Sequence, residues 1–383
     1  SDADLNFIVK PDALYDLLDR QLAELSKLAS VLVVPNTEFE AAGLVFELFD
    51  IKFANVDFSD TAGTHFENNL IFSVNQADIK LVFQYKFHQN SYQYVSGAGS
   101  GLTYLKLNFQ LDAKLQLSHN CSYHFEFSSF AARMQITNFQ LQLPDAPALL
   151  QALTNLLTGM FKEVFNDMLQ KQLGDLGDIF NVDLFKLKTV TYIWNEASAT
   201  DSRFINFKFG DQIVFKTSGQ MCKLDYAANR CEGWQKKHVE LQDSPNKQFD
   251  RGIQLQISQN ALQSMVDHLQ RLQLLQENIT VIKIVNTGVL VDVRGVAFSA
   301  QILCKLQVKI VPSRNNNDTT TQTYLKMTKL ISKSGELNVS MYFEQTNKLL
   351  EEGANSIYTF GYVDADDIII SYSSPSWVVA GLK

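Results

Sequence analysis

The chain has 383 residues, 46% hydrophobic and 19% charged, with 27 Phe against 3 Trp, a formal charge of −8 and a pI near 5.3. That composition excludes a disordered chain. The acidic balance, with no long Lys/Arg run, excludes sequence-independent binding to nucleic acid or to anionic membranes, which needs a cationic face.

The chain starts "SDADLNF", with no Met and no signal-like apolar region, as expected of a processed chain or of a chosen boundary. Residues 12–34 carry Leu14, Leu18, Leu22, Leu25, Leu28 and Val31 at spacings of three and four, between Pro11 and Pro35. This predicts a helix with one apolar stripe. No run approaches the ~20 apolar residues of a membrane helix.

Alternating segments follow. In "FELFDIKFANVDF" (46–58) the pattern Phe49, Ile51, Phe53 slips by one residue to Val56 and Phe58, which predicts a bulge. "DIKLVFQYKF" (78–87), "LKLNFQLDAKLQL" (105–117), "YHFEF" (123–127) and "MQITNFQLQL" (134–143) continue the period of two. Every odd position of 105–117 is apolar, a strip of roughly 43 Å at ~3.3 Å per residue. The recurring phase slips indicate a strongly coiled sheet.

Pro144 closes these strands, and a helix is predicted over 147–173, ending at "GDLGD" (174–178). Its apolar stripe is wide, and its length of roughly 40 Å matches the long strand. Strands are predicted again at 182–194, 204–209 and 212–221, followed by a polar connector at 233–251.

"FIVKPDALYDLLDRQ" (7–21) aligns without gaps on "LQISQNALQSMVDHL" (255–269), each a strand end running into an amphipathic helix. Opening each half of the chain, the match indicates an internal duplication. Further strands are expected in 286–311, then an Asn-rich loop at 313–321 and short strands to the end.

No segment carries a catalytic set. "SGAGSG" (96–101) precedes a strand and not a helix, so it reads as a hairpin turn and not a phosphate loop. "HNCSYH" (119–124) alternates its ligand types across a strand, and "DADD" (364–367) lacks calcium-loop spacing. No nucleophile elbow or carboxylate pair is evident, so the expected protein is not an enzyme and needs no cofactor and no metal.

Cys222 and Cys231 flank a short loop that a disulfide could staple. Asn120, Asn278, Asn317 and Asn338 head glycosylation sequons. Together these favour a secreted or endomembrane-lumen location.

The order of helix, "VVPN" exit, coiled strands, Pro-terminated strand and second helix resembles the bactericidal permeability-increasing and lipopolysaccharide-binding protein family of the tubular lipid-binding (TULIP) superfamily. The residues that carry the likeness are "VKPDALYDLLDRQLAELSKLASVLVVPNTEF" (9–39), 49–60, 75–87, 105–117 and "LTNLLTGMFKEVFNDMLQKQL" (153–173). The resemblance implies an α+β protein of elongated, strongly coiled antiparallel sheets, each wrapped around a long amphipathic helix. It implies two such units, 1–220 and 251–383, joined by a connector at 221–250. The second is abbreviated and shows no obvious second long helix. A non-enzymatic lipid-binding or lipid-transfer role follows, with acyl chains in an apolar tube of the first unit. Its expected wall is Leu18, Leu22, Leu25, Phe53, Phe83, Phe109, Leu153, Met160 and Phe161. The expected ligand is a phospholipid, with transient membrane contact, protein partners in an assembly and no nucleic acid. The alternative is a structural or interaction module of the same fold, its tube collapsed or holding a structural lipid. Cys121 resembles a family cysteine that pairs with the second helix, but 147–173 contains no Cys. The acidic balance is unlike the cationic antibacterial members.

Overall fold

A computed structural model describes residues 3–13, 15–16, 34–66, 69–89, 95–119, 124–185, 190–193, 198–225, 227, 230–232, 249–312, 319–352, 355–358, 368–373 and 376–382. The chain packs as two compact units, one of Leu14–Gln116 with Glu126–Asp183, the other of Ser1–Ala13, Leu117–Phe125 and Leu184–Lys383. Residues 184–220 therefore group with the C-terminal residues, whereas a division in chain order puts them with the N-terminal ones. Most of the expected connector, and most of the expected helix over 12–34, lie outside the described residues.

After β1 (Leu5–Val9), the first unit holds an antiparallel sheet in sequence order. Its strands are β2 (Thr37–Ala41), β3 (Leu44–Phe66), β4 (Asn69–His88), β5 (Ser96–Leu117) and β6 (Phe125–Gln142). The alternation at 105–117 is realised: Leu105, Leu107, Phe109, Ala113 and Leu115 are buried, and the strand continues upstream to 22 residues. The slip after Phe53 is a register shift between Phe53 and Asn55, with a second between Phe49 and Lys52. There Asp50 takes a φ of +51°.

"SGAGSG" is not a turn. It is the start of β5, and its cross-strand partners explain the glycines. Phe83 pairs with Gly101, Tyr85 with Gly99 and Phe87 with Gly97. A Cβ at Gly101 would stand 2.2 Å from the Phe83 ring, and one at Gly97 would stand 2.6 Å from Phe87. In each pair the outer end of the ring occupies the space that a side chain on the opposite residue would need, so the aromatic covers the glycine across the sheet.

A short helix, α1 (Ala148–Ala152), leads into α2 (Thr154–Phe185), whose 32 residues span about 48 Å. The predicted stop at "GDLGD" does not occur, and 182–185 is helix, not strand. Two glycines cost a helix about 1 kcal/mol each, but Gly177 is buried where its missing side chain admits Phe130, whose Cβ would be 2.7 Å away. Asn181 then anchors the last turns: it accepts from Phe127 N (2.6 Å) and donates to Phe127 O (3.2 Å). Gln170 does the same across two residues, accepting from Met134 N (2.9 Å) and donating to Ala132 O (2.5 Å). Both target β6, the edge strand of the sheet.

The other unit adds β7 (Val190–Ile193), β8 (Ser198–Asp201), β9 (Phe204–Lys208), β10 (Ile213–Thr217), β11 (Met221–Asp225), β12 (Arg230–Glu232) and β13 (Ile253–Ser258). There follow α3 (Gln259–Arg271), β14 (Asn278–Val285), β15 (Gly288–Arg294), β16 (Phe298–Pro312), β17 (Thr319–Gly335) and α4 (Val339–Glu352). β18 (Asn355–Tyr358), β19 (Ile369–Ser373) and β20 (Trp377–Leu382) end it. Beyond the expected loop at 313–321, where short strands were expected, the chain has a 17-residue strand and a 14-residue helix. The helix α4 is less than half as long as α2. Asn347 on it accepts from Met327 N (2.7 Å) and donates to Met327 O (3.1 Å), matching Asn181 on α2.

A six-stranded sheet runs β19-β20-β13-β1-β10-β9. At its centre Phe7 pairs with Leu255 in an antiparallel ladder, and these two residues are also equivalent in the internal alignment. A local two-fold through that pair relates β1 to β13, each flanked by a two-stranded hairpin. The register thus supports the duplication.

Helix α3 is buried on nearly every side, its polar residues included. Ser258 caps it, accepting from Ala261 N and donating to the buried carboxylate of Asp4. Gln263 donates to Ile279 O and accepts from Val281 N, while Gln259 donates to Val281 O, so the edge of β14 is paired by side chains. Burial, and then the charge of Arg271, lower the pKa of His268 to about 4. The unfolded chain binds that proton near 6.5. Stability is therefore complete above about pH 6.5 and falls by roughly 3 kcal/mol as pH drops toward 4. Thermal unfolding across pH 7 to 4 should show this limb, and His268→Gln should flatten it.

Candidate functional site

The face of the β2–β6 sheet that turns toward α2 is apolar along its length. Inward alternation on β4 places Ile79, Leu81, Phe83, Tyr85 and Phe87 on one side, all buried. On α2, the line Leu157, Phe161, Phe165, Met168 and Leu169 is buried against them, continuing Leu150 of α1.

Of the nine residues expected to form a wall, Leu18, Leu22 and Leu25 lie outside the described residues. Phe83, Phe109 and Phe161 are buried within this core, and Phe53, Leu153 and Met160 are half-buried and pack against it. Phe161 is enclosed by rings: Phe39 at 5.0 Å, Phe46 at 5.6 Å and Phe83 at 5.9 Å between centroids. The series extends through Phe165, 5.7 Å from Phe83, to Phe139, 5.9 Å from Phe165. Phe109 meets Phe58 edge-on at 6.1 Å. Such pairs add roughly 0.5–1.5 kcal/mol each beyond area burial. The side chains of Phe83 and Phe161 are thus engaged with each other and with their neighbours.

Among the described residues, eleven partly buried side chains pack against this core, including Phe39 and Phe139 of the ring series and Phe53, Leu111, Leu153 and Met160. Sequence reasoning singled out three of the eleven. Phe39 and Phe46, which close over Phe161, went unselected. Phe46 is out of phase with the run Phe49, Ile51 and Phe53, from which a register shift between Phe49 and Lys52 separates it, and β2, which carries Phe39, was not among the predicted strands.

Two buried polar side chains interrupt the apolar face among the described residues, Thr103, whose hydroxyl donates to Gln140 O (3.0 Å), and Tyr85. Tyr85 is fully buried, and its hydroxyl has no hydrogen-bond partner among the described residues. Burial, then the charge of Asp145, raises its pKa.

The outward face has a different chemistry. A hollow of about 410 Å³ is lined by Asn55, Asp78, Lys80, Tyr104 and Lys106, with Lys106 Nζ 3.3 Å from Asp78 and Lys80 above the Tyr104 ring. Among the described residues no group of His, Cys, Asp and Glu could hold a metal ion. No described helix is long and apolar enough to cross a membrane. Cys304 is buried and its thiol pKa is pushed up to about 12 by that burial, so it is unreactive. Cys222 is buried on β11, and Cys231 stands on the neighbouring β12.

No family model and no curated protein matches the sequence. Among solved structures, the chain is similar to a crystal structure of lipopolysaccharide binding protein, with a TM-score of 0.58 at 12% identity, over 99% of this chain and 98% of that one. Takeout 1 of Epiphyas postvittana matches over 41% of this chain and 80% of its own, at 15% identity and a TM-score of 0.31. P47 of Clostridium botulinum A2 matches over 99% and 97%, at 11% identity and a TM-score of 0.22. Only the first likeness is close enough to define a fold.

The glycine–aromatic pairs give a direct test of how the inner face is built. Gly101→Ala, which drives a methyl into the Phe83 ring, should lower stability by roughly 1–3 kcal/mol. Urea unfolding followed by circular dichroism would measure the loss.

Proposed function

The chain has the fold of the bactericidal permeability-increasing and lipopolysaccharide-binding protein family, and from that premise we propose that it is a non-enzymatic lipid carrier. Acyl chains lie against the inner face of the β2–β6 sheet. Half-buried Phe53, Leu153 and Met160 are the contact surface, and Phe83, Phe109 and Phe161 form the floor beneath. The observation that carries this reading is the set of partly buried apolar side chains, Phe53, Leu153 and Met160 among them, that pack against the core in the described residues. Burying a lipid there gains about 0.8 kcal/mol per CH₂, so a double-chain phospholipid binds tightly with little polar selectivity.

The structurally similar protein is named for binding lipopolysaccharide. The net charge of −8 argues for a different headgroup here. Loading requires transient contact with a membrane. A secreted or lumenal setting accords with a disulfide between Cys222 and Cys231 and with glycans at Asn278 and Asn338, both exposed. Asn120 and Asn317 lie outside the described residues.

A second reading, an interaction module with a filled interior, is favoured by the enclosure of Phe161 within three rings. Mass spectrometry of organic extracts separates the two. A carrier yields stoichiometric phospholipid, and Leu153→Trp with Met160→Trp, which fill the contact surface, should cut that stoichiometry by at least half. Repeated empty extracts from the wild-type protein would leave the module reading in place. Peptide mapping without reductant should recover Cys222 linked to Cys231.

A further inference from the structure

The segment after Pro144 carries leucines on both of its helical sides. Inward, Leu150 and Leu157 are fully buried. Outward, Leu149 and Leu156 are 46% and 53% exposed. Ala152 and Gly159 fall between and beyond them at helical spacing, on the same open side. Across 144–161 the only charged residue is Asp145, and it accepts a hydrogen bond from Ser100 Oγ at 3.2 Å. The chain as a whole is 19% charged, so an uncharged exposed stretch of this length departs from the rest of the surface. The polar residues of the helical stretch, Gln151, Thr154, Asn155 and Thr158, are all uncharged.

We infer that this face of α1 and α2 docks into the interface of an electrically neutral lipid bilayer. The inference rests on the carrier reading and gives it the surface through which lipid is approached. Charge selects the kind of membrane: a chain of net charge −8, with no Lys or Arg on this face, is repelled by anionic lipid and has nothing to offset the repulsion. Area selects a bilayer over a second copy of the chain. The half-exposed leucines offer roughly 200 Å² of apolar surface, against ~800 Å² per partner in a stable dimer. A few inserted side chains suffice for reversible attachment to a bilayer.

Flotation of the full chain with phosphatidylcholine vesicles tests this. The wild-type protein should float, and raising salt should not release it, because the attachment is not electrostatic. Leu149→Ser with Leu156→Ser should weaken partitioning by at least about tenfold, the effect of losing ~1.4 kcal/mol. Leu149→Trp, a large apolar replacement at the same exposed position, should partition as well as wild type or better, which separates loss of contact from loss of fold. The serine variant should still take up a short-chain fluorescent phospholipid offered as monomer. Failure of the wild type to float, equal flotation of the serine variant, or binding that needs anionic lipid and fades with salt would overturn the proposal. So would a wild-type dimer in sedimentation that the serine variant dissolves. Flotation without uptake of monomeric lipid would uphold the docking face and remove the carrier reading.

Discussion

A β-strand more than twenty residues long leaves two things uncovered: one apolar face and, at the end of the sheet, one row of unpaired backbone groups. The first unit resolves both with a single element. The helix α2 buries Leu157, Phe161 and Phe165 on the face, and its Gln170 and Asn181 bond the backbone of β6 as a sixth strand would. An unprotected edge invites pairing with another chain, and an amide side chain carries both a donor and an acceptor. Asparagine reaches one residue and glutamine spans two. The other unit uses the same chemistry, with Asn347 on β17 and Gln263 on β14. The amide clamps and the Phe7–Leu255 pair therefore describe one building plan used twice, with a shorter helix the second time.

Much of this plan was legible in the sequence. Alternation over 105–117 and the slip after Phe53 reported a long bulged strand, because period two survives wherever one face is buried. The match of 7–21 to 255–269 reported the repeat. What could not be read depended on partners remote in the chain. "SGAGSG" looks like a turn until Phe83, Tyr85 and Phe87 are laid opposite it. "GDLGD" looks like a helix stop until Phe130 is found against Gly177. Helix α3 carries Gln259, Asn260, Gln263, Ser264 and His268 and looks half solvated, yet all are buried, since their partners are an edge strand and the residues that cap the helix.

The candidate site divides in the same way. The choice of Phe83, Phe109 and Phe161 follows from periodicity, which reports which side chains face inward. Periodicity does not report what each of them meets there. The ring contacts of Phe161 arise from Phe39, Phe46 and Phe83 on three different strands. Half-burial of Phe53, Leu153 and Met160 is likewise a property of the assembled sheet and helix.

The placement of β1 has a consequence for biosynthesis. Its five residues are all buried between β10 and β13, and Phe7 precedes Leu255 in the chain by 248 positions. A ribosome adding roughly 5–20 residues per second needs roughly 12–50 s to deliver that partner. Until then a nascent "LNFIV" lacks that neighbour, and an apolar strand left unpaired during synthesis is open to wrong pairing.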